Sequence, residues 1–228
     1  MPVDLRSDEV LLDLLLPIRC AACGLPGAAF CARCRDALIR LAPPLCDRCG
    51  APGAWPVSRC AECSGRRLAF ASARAAIVYD ASARRFVHAW KERGQRSLAR
   101  DAAVIVAETL ARPRAPVLSF VPSDGDRALS RGHRPAEALA RELGRVWDLP
   151  VALLVRRTRT AERQRGLGLQ ARRRNVRGAF ASARVSPPRV CLVDDVYTSG
   201  ATAGAAASAL RRGGTRRVEV VTLARAVR

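Results

Sequence analysis

The stretch Val190-Cys191-Leu192-Val193-Asp194-Asp195-Val196-Tyr197-Thr198-Ser199-Gly200-Ala201-Thr202-Ala203 decides how this chain is read. Four apolar residues run into two adjacent carboxylates, and a short run of small hydroxyl residues and a glycine then opens an alanine-rich segment. The apolar run predicts a buried parallel strand over 189–193, and Thr202 to Arg212 predicts a helix. The acidic pair and the turn then lie where a strand gives way to a helix, at the carboxyl edge of an open α/β sheet, where ligands bind. Gly200 lets the backbone approach a ligand closely. The N–H groups that open the helix, with the hydroxyls of Thr198, Ser199 and Thr202, suit a phosphate. Asp194 and Asp195 suit a pair of vicinal hydroxyls, as on a ribose. The expected occupant is a ribose 5-phosphate. Two unpartnered carboxylates at the end of a buried strand are costly, which argues against an incidental pair.

These residues resemble the signature loop of the type I phosphoribosyltransferases, which binds phosphoribosyl pyrophosphate. The resemblance implies that Asp194 and Asp195 contact the ribose hydroxyls and that the turn Val196-Tyr197-Thr198-Ser199-Gly200-Ala201-Thr202 cradles the 5-phosphate. It also implies Mg2+, bridging the pyrophosphate and the ribose hydroxyls.

At 228 residues the chain has room for one medium domain and a small one. No apolar run reaches the length of a membrane span. Val10 to Ile18 comes nearest, but Asp13 interrupts it and its leading flank is net acidic, unlike a signal peptide. A cytoplasmic protein is expected. The formal net charge is +20, and Lys91 is the only lysine among the 40 basic residues. Such a field attracts phosphate polyanions, whether nucleic acid, nucleotides or pyrophosphate. Codon bias toward Arg and Ala, inflating Arg over the whole surface, is the competing explanation. Against that background the lone Lys91 stands out.

Eight of the nine cysteines form four CxxC pairs: Cys20/Cys23, Cys31/Cys34, Cys46/Cys49 and Cys60/Cys63. Each CxxC turn aims two sulfurs at one point, and two such turns complete a tetrahedral thiolate site for zinc. Two structural Zn2+ sites are expected. Sequential pairing is the simplest arrangement, and a cross-braced pairing of first with third and second with fourth also satisfies the ligand count. Disulfides need an oxidising compartment that nothing here indicates. Iron–sulfur ligation is the remaining competitor, and the regular spacing with Gly24 and Gly50 following two of the pairs favours zinc. Four thiolates leave no open position for catalysis, so the metal serves to fold a segment too small to fold alone. Ser64-Gly65-Arg66-Arg67-Leu68 marks a boundary, giving a front module over 1–68 and a second domain over 69–228. Cys191 reads as a core residue of its strand.

Beyond the boundary, strands are expected over 73–79, 117–121, 151–155, 189–193 and 217–223. Helices are expected over 83–90, 101–110 and 137–147, besides the one after the acidic turn. Alternation of this kind predicts a mostly parallel, doubly wound α/β sheet. With the cysteine module in front, the chain is similar to the ComF family of competence-associated proteins with a type I phosphoribosyltransferase-like domain, over nearly its whole length. The matching segments are Trp90-Lys91-Glu92-Arg93-Gly94, then Arg127…Arg131-Gly132, then Thr160…Gln164…Arg173…Asn175-Val176…Gly178-Ala179-Phe180. Where the family usually continues Arg-Gly with Phe-Asn-Gln, this chain has His133-Arg134-Pro135.

The resemblance implies a role in natural competence, with phosphoribosyl pyrophosphate as ligand, incoming single-stranded DNA and a helicase-like protein as partners, and no membrane span. An active phosphoribosyltransferase of nucleotide salvage, with an unidentified acceptor, is the alternative. Transfer of a phosphoribosyl group needs fixed positive charge around the leaving pyrophosphate. Lys91, Arg127 and Arg131 follow strands whose ends reach that cleft, and with Asp194 and Asp195 they form the expected catalytic and pyrophosphate-side set. The basic segment from Arg156 to Arg177 reads as a lid over the site or as a track for a nucleic-acid backbone. Arg172, Arg173, Arg174 and Arg177 are its DNA-binding candidates.

Overall fold

The computed structural model describes residues 18–123, 133–158 and 178–227. Its centre is a four-stranded, wholly parallel sheet in the order β1 (Ser72–Val78), β6 (Arg217–Arg225), β5 (Arg189–Tyr197), β2 (Leu118–Phe120). Helices α2 (Ala81–Lys91), α3 (Leu98–Thr109) and α4 (Pro135–Trp147) cover one face, and α5 (Ala201–Arg212) covers the other. The alternation along β5 shows why both faces need cover. Cys191 and Val193 pack with α3 and α4, while Val190 and Leu192 pack with α5. Burial on both faces is the condition under which parallel strands read as continuous apolar runs.

The cysteine-rich segment wraps the β1 edge, with its short helix α1 (Ala32–Asp36) inside the first half. Val78 N–H donates to Ile39 at 2.9 Å and Leu41 N–H to Ala76 at 2.9 Å, so the chain between the two cysteine groups pairs with β1. This closes an edge that would otherwise present unpaired backbone groups. The first cysteine group packs on the α2 face, where the Phe30 ring meets Phe86 edge-on at 4.6 Å. The second packs on the α5 face, and Cys46, Cys49 and Cys63 share a core with Phe70, Tyr197 and Leu210. A Cβ at Gly50 would lie 2.4 Å from the Ala73 carbonyl oxygen, so only glycine allows the second group to sit this close to β1.

Two expectations change. The strand expected over 151–155 contributes a single parallel bridge, Val151 with Leu118. The chain then turns into β3 (Val155–Arg157), which pairs antiparallel with β4 (Phe180–Ser182) outside the central sheet. In the apolar run Val151-Ala152-Leu153-Leu154 only Leu154 is buried and Leu153 is exposed, a pattern that apolar content alone does not distinguish from a strand. Strand β5 also runs four residues past Val193, because β6 is long enough to pair with it up to Tyr197 opposite Arg225.

Candidate functional site

The extension of β5 places Asp194 and Asp195 inside a ladder rather than in a loop, with Asp194 opposite Thr222 of β6. The turn is then only Thr198-Ser199-Gly200 before α5 begins at Ala201. Gly200 is the N-cap of α5 with φ 68°. The Ser199 hydroxyl accepts from Ala201 N–H at 3.3 Å, while Thr198 is exposed at the cavity wall. Thr198, Thr202 and the first residues of α5 line a small recess at the helix start, where backbone amides favour an anion. Asp194, Val196, Tyr197, Gly200 and Ala203 complete its walls.

That recess opens beside a cavity of about 760 Å³ at the carboxyl end of the sheet. Asp194, Asp195, Val196, Thr198 and Thr202 form one wall, and α2 forms the opposite one with Arg84, Arg85, His88 and Lys91. The Lys91 ammonium is 2.7 Å from the Asp195 carboxylate. Lys91 ends α2, whose start is capped by Asp80 accepting from Ala83 N–H at 2.8 Å. Phe86, Val87 and Trp90 bury one side of that helix. This leaves Arg84, His88 and Lys91, spaced four and three residues apart, along the cavity side. The spacing is visible in sequence, yet Arg84, Arg85 and His88 were not among the expected site residues. Arg157 of β3 also lines the cavity, with its guanidinium 4.8 Å from the Phe180 ring centroid.

Burial pushes the Asp194 carboxyl up, the neighbouring Asp195 charge adds to this and Lys91 opposes it, leaving it at about 7. Asp194 Oδ1 accepts from Asp195 N–H at 2.9 Å, which fixes its orientation. The two carboxylates offer the hard oxygen donors that Mg2+ takes, together with oxygens of a phosphorylated ligand. Val196 half-lines the cavity. Tyr197 turns its ring to the α5 face against Phe70, at 6.3 Å between centroids.

Pro135, standing where the related pattern has an amide, occupies the first position of α4, where its missing N–H costs nothing. The Arg134 guanidinium lies 3.4 Å from Glu137 on the same helix. Arg127, Arg131, Arg172, Arg173, Arg174 and Arg177 lie outside the described residues.

Among the described residues the eight front cysteines form two groups, Cys20/Cys23/Cys31/Cys34 and Cys46/Cys49/Cys60/Cys63, with ligand atoms all within 4.8 Å of one another. The pairing is sequential. Zinc–sulfur bonds of about 2.3 Å in a tetrahedron require sulfurs about 3.8 Å apart. The observed Sγ separations include 3.8 Å for Cys23–Cys31 and 3.7 Å for Cys46–Cys63. An iron–sulfur cluster spreads its thiolates over several iron atoms and needs wider spacing. Although burial alone would raise them, backbone N–H groups pull Cys20 and Cys46 down to about 6, which favours the thiolate a metal binds. The geometry fits zinc.

The double zinc ribbon domain family matches residues 11–65. Competence protein F of Haemophilus influenzae is 37% identical over 105 residues, covering 44% of this chain and 46% of that protein. The chain thus spans about half the length of that relative in the match. Among solved structures, the glutamine phosphoribosylpyrophosphate amidotransferase from B. subtilis overlays 56% of this chain and 26% of its own, at 23% identity and a TM-score of 0.38. The purine phosphoribosyltransferase from Pyrococcus horikoshii overlays 56% of this chain and 72% of its own, at 18% identity and a TM-score of 0.34. The front of this chain is a double zinc ribbon with two four-cysteine groups, and 44% of the chain is similar to Competence protein F.

Proposed function

We propose that the chain binds phosphoribosyl pyrophosphate and acts in natural competence on incoming single-stranded DNA. In this reading Asp194 and Asp195 hold the ribose hydroxyls and the Thr198–Thr202 turn holds the 5-phosphate. Lys91 stands at the pyrophosphate, joined by Arg127 and Arg131. The observation that carries it is the meeting, in one cavity, of a carboxylate pair, the Thr198 and Thr202 side chains at a helix start and the 2.7 Å Lys91–Asp195 contact. Where Mg2+ binds, Asp194 and Asp195 would hold it, and its charge would help offset that of the pyrophosphate. Lys91 contributes a second fixed positive charge. Calorimetric titration with phosphoribosyl pyrophosphate and Mg2+ tests the reading, and absence of heat at millimolar ligand overturns it.

The transferase reading draws on the α2 wall. Arg84, Arg85 and His88 line cavity space that an acceptor could share with the phosphoribosyl ligand. Release of pyrophosphate on adding an acceptor base separates an enzyme from a binding protein.

Gly200→Ala is expected to weaken phosphoribosyl pyrophosphate binding. A Cβ there would lie 2.3 Å from Tyr197 Oη, and φ 68° is left-handed. The conformational cost alone is about 1–2 kcal/mol. Affinity should fall about tenfold or more if the turn shifts to relieve it, with zinc content unchanged.

The DNA role has its own test. Single-strand affinity should fall linearly with the logarithm of salt, each lost phosphate contact flattening the slope by roughly 0.7. Changing Arg172, Arg173 and Arg174 to Ala should flatten that slope and leave phosphoribosyl pyrophosphate affinity unaltered. A lid over the site predicts the reverse pattern on the same triple variant.

A further inference from the structure

Two arginines link the second cysteine group to the Thr198–Thr202 turn, and neither lines the large cavity. Arg225 ends β6 and is 1% exposed. Its Nη1 donates to the Cys49 carbonyl at 2.7 Å, and its Nη2 donates to the Glu62 carboxylate at 2.6 Å. Its guanidinium lies 4.7 Å from the Tyr197 ring centroid, and Tyr197 is its partner across the β5–β6 ladder. A buried charge is held at a cost unless paired and hydrogen-bonded, so this side chain is tied to Cys49 and Glu62. Tyr197 in turn is the surface on which Gly200 rests.

Arg66 makes the second link. Its Nη1 donates to the Glu62 carbonyl at 3.3 Å, and its Nη2 donates to the Ser199 carbonyl within the turn. Glu62 sits between Cys60 and Cys63, two members of the second group. The segment from Cys60 to Arg66 therefore grips the turn from two sides, through Arg225 and Tyr197 below and through Arg66 directly. Arg225 bridges Cys49 and Glu62, Asp47 N–H donates to Val57 at 2.9 Å and Cys60 N–H to Cys46 Sγ at 3.3 Å, and an ion shared by the four thiolates would fix the position that these few contacts outline. The first cysteine group packs instead against α2.

We propose that metal at Cys46, Cys49, Cys60 and Cys63 holds the Thr198–Thr202 turn in its binding conformation through Arg225 and Arg66, which act as positioning residues. The order of the turn then follows occupancy of the second site and not of the first. The consequence for ligand affinity rests on the phosphoribosyl pyrophosphate reading, while the consequence for the turn does not.

Amide hydrogen exchange of the full zinc-loaded chain tests this, read on peptides covering Tyr197–Ala206, with zinc counted by elemental analysis. Arg225→Ala should keep both zinc ions and raise exchange in the turn by about tenfold, leaving α4 peptides unchanged. Arg225→Lys should not restore protection, because one ammonium cannot reach the Cys49 carbonyl and Glu62 while lying on the Tyr197 ring. Glu62→Gln, which preserves shape, should raise exchange by a smaller factor, and it decides the matter if Arg225→Ala does not fold. Cys60→Ser should lose one zinc and expose the turn, whereas Cys23→Ser should lose one zinc and leave it protected. Unchanged turn exchange overturns the proposal, and so does a uniform rise across the sheet. The same variants titrated with phosphoribosyl pyrophosphate and Mg2+ should bind about tenfold more weakly where the turn is exposed. A wild-type chain that binds none of that ligand removes the functional reading, and the exchange result still decides the link.

Discussion

Replacing Asp194 and Asp195 together by Asn is expected to lower phosphoribosyl pyrophosphate affinity at least a hundredfold in Mg2+. Charge-assisted hydrogen bonds contribute about 1.5–3 kcal/mol each, and losing two of them corresponds to a factor of about a hundred or more. Asp194→Asn alone, which leaves the Lys91–Asp195 pair in place, should stabilise the chain without ligand. Burial and the Asp195 charge raise the Asp194 carboxyl from 3.8 to about 7. A carboxyl raised in the folded state takes up its proton more readily there than in the unfolded chain. Its stabilising effect is complete below pH 3.8 and is lost as pH rises toward about 7. Asn carries no such loss. Thermal unfolding of Asp194→Asn should therefore match wild type near pH 4, exceed it increasingly up to pH 7 and hold a constant advantage above. An affinity unchanged in the double variant would remove the acidic pair from the binding site. A wild-type stability that rises between pH 4 and 7 relative to Asp194→Asn would contradict the burial of Asp194.

Removing both zinc ions is expected to have the largest effect on stability. Structural zinc contributes about 10–16 kcal/mol of apparent binding energy in small ribbon-like peptides. Here part of it supports the α/β core as well. Elemental analysis should find two zinc ions per chain in reduced protein, and iron or no metal would overturn the assignment. The two sites should not be equal. Cys46, Cys49 and Cys63 are 1%, 2% and 0% exposed and share the core that contains Phe70 and Tyr197. Cys23 is exposed. Cys60→Ser should therefore lower the melting temperature by more than Cys23→Ser, by about 10 °C if several kcal/mol are lost in a chain of this size. Equal losses at the two sites would show that the second group does not support the core.

Three features were legible in the sequence because local chemistry dictates them. The CxxC pairs announce two metal sites, since each pair converges two sulfurs whatever surrounds it. The acidic pair before a Thr-Ser-Gly turn announces a strand–helix junction, because an apolar run that ends in charge, small hydroxyls and a glycine cannot continue as a buried strand. The lone Lys91 marked a position that an arginine-rich surface had not absorbed, and it stands 2.7 Å from Asp195.

What needed the tertiary structure was everything decided by neighbours. Sequential and cross-braced cysteine pairing satisfy the same ligand count, and the separation came from the path of residues 39–41 along β1, which sends the two groups to opposite faces of the sheet. The run Val151–Leu154 is apolar enough for a strand, but Leu118 offers it only one bridge before β3 pairs away with β4. Arg225 reads in sequence as one more arginine among many. Only folding brings Cys49, Glu62 and the Tyr197 ring around it, because those residues come from segments far apart in the chain and a buried guanidinium is tolerated only where all of them meet.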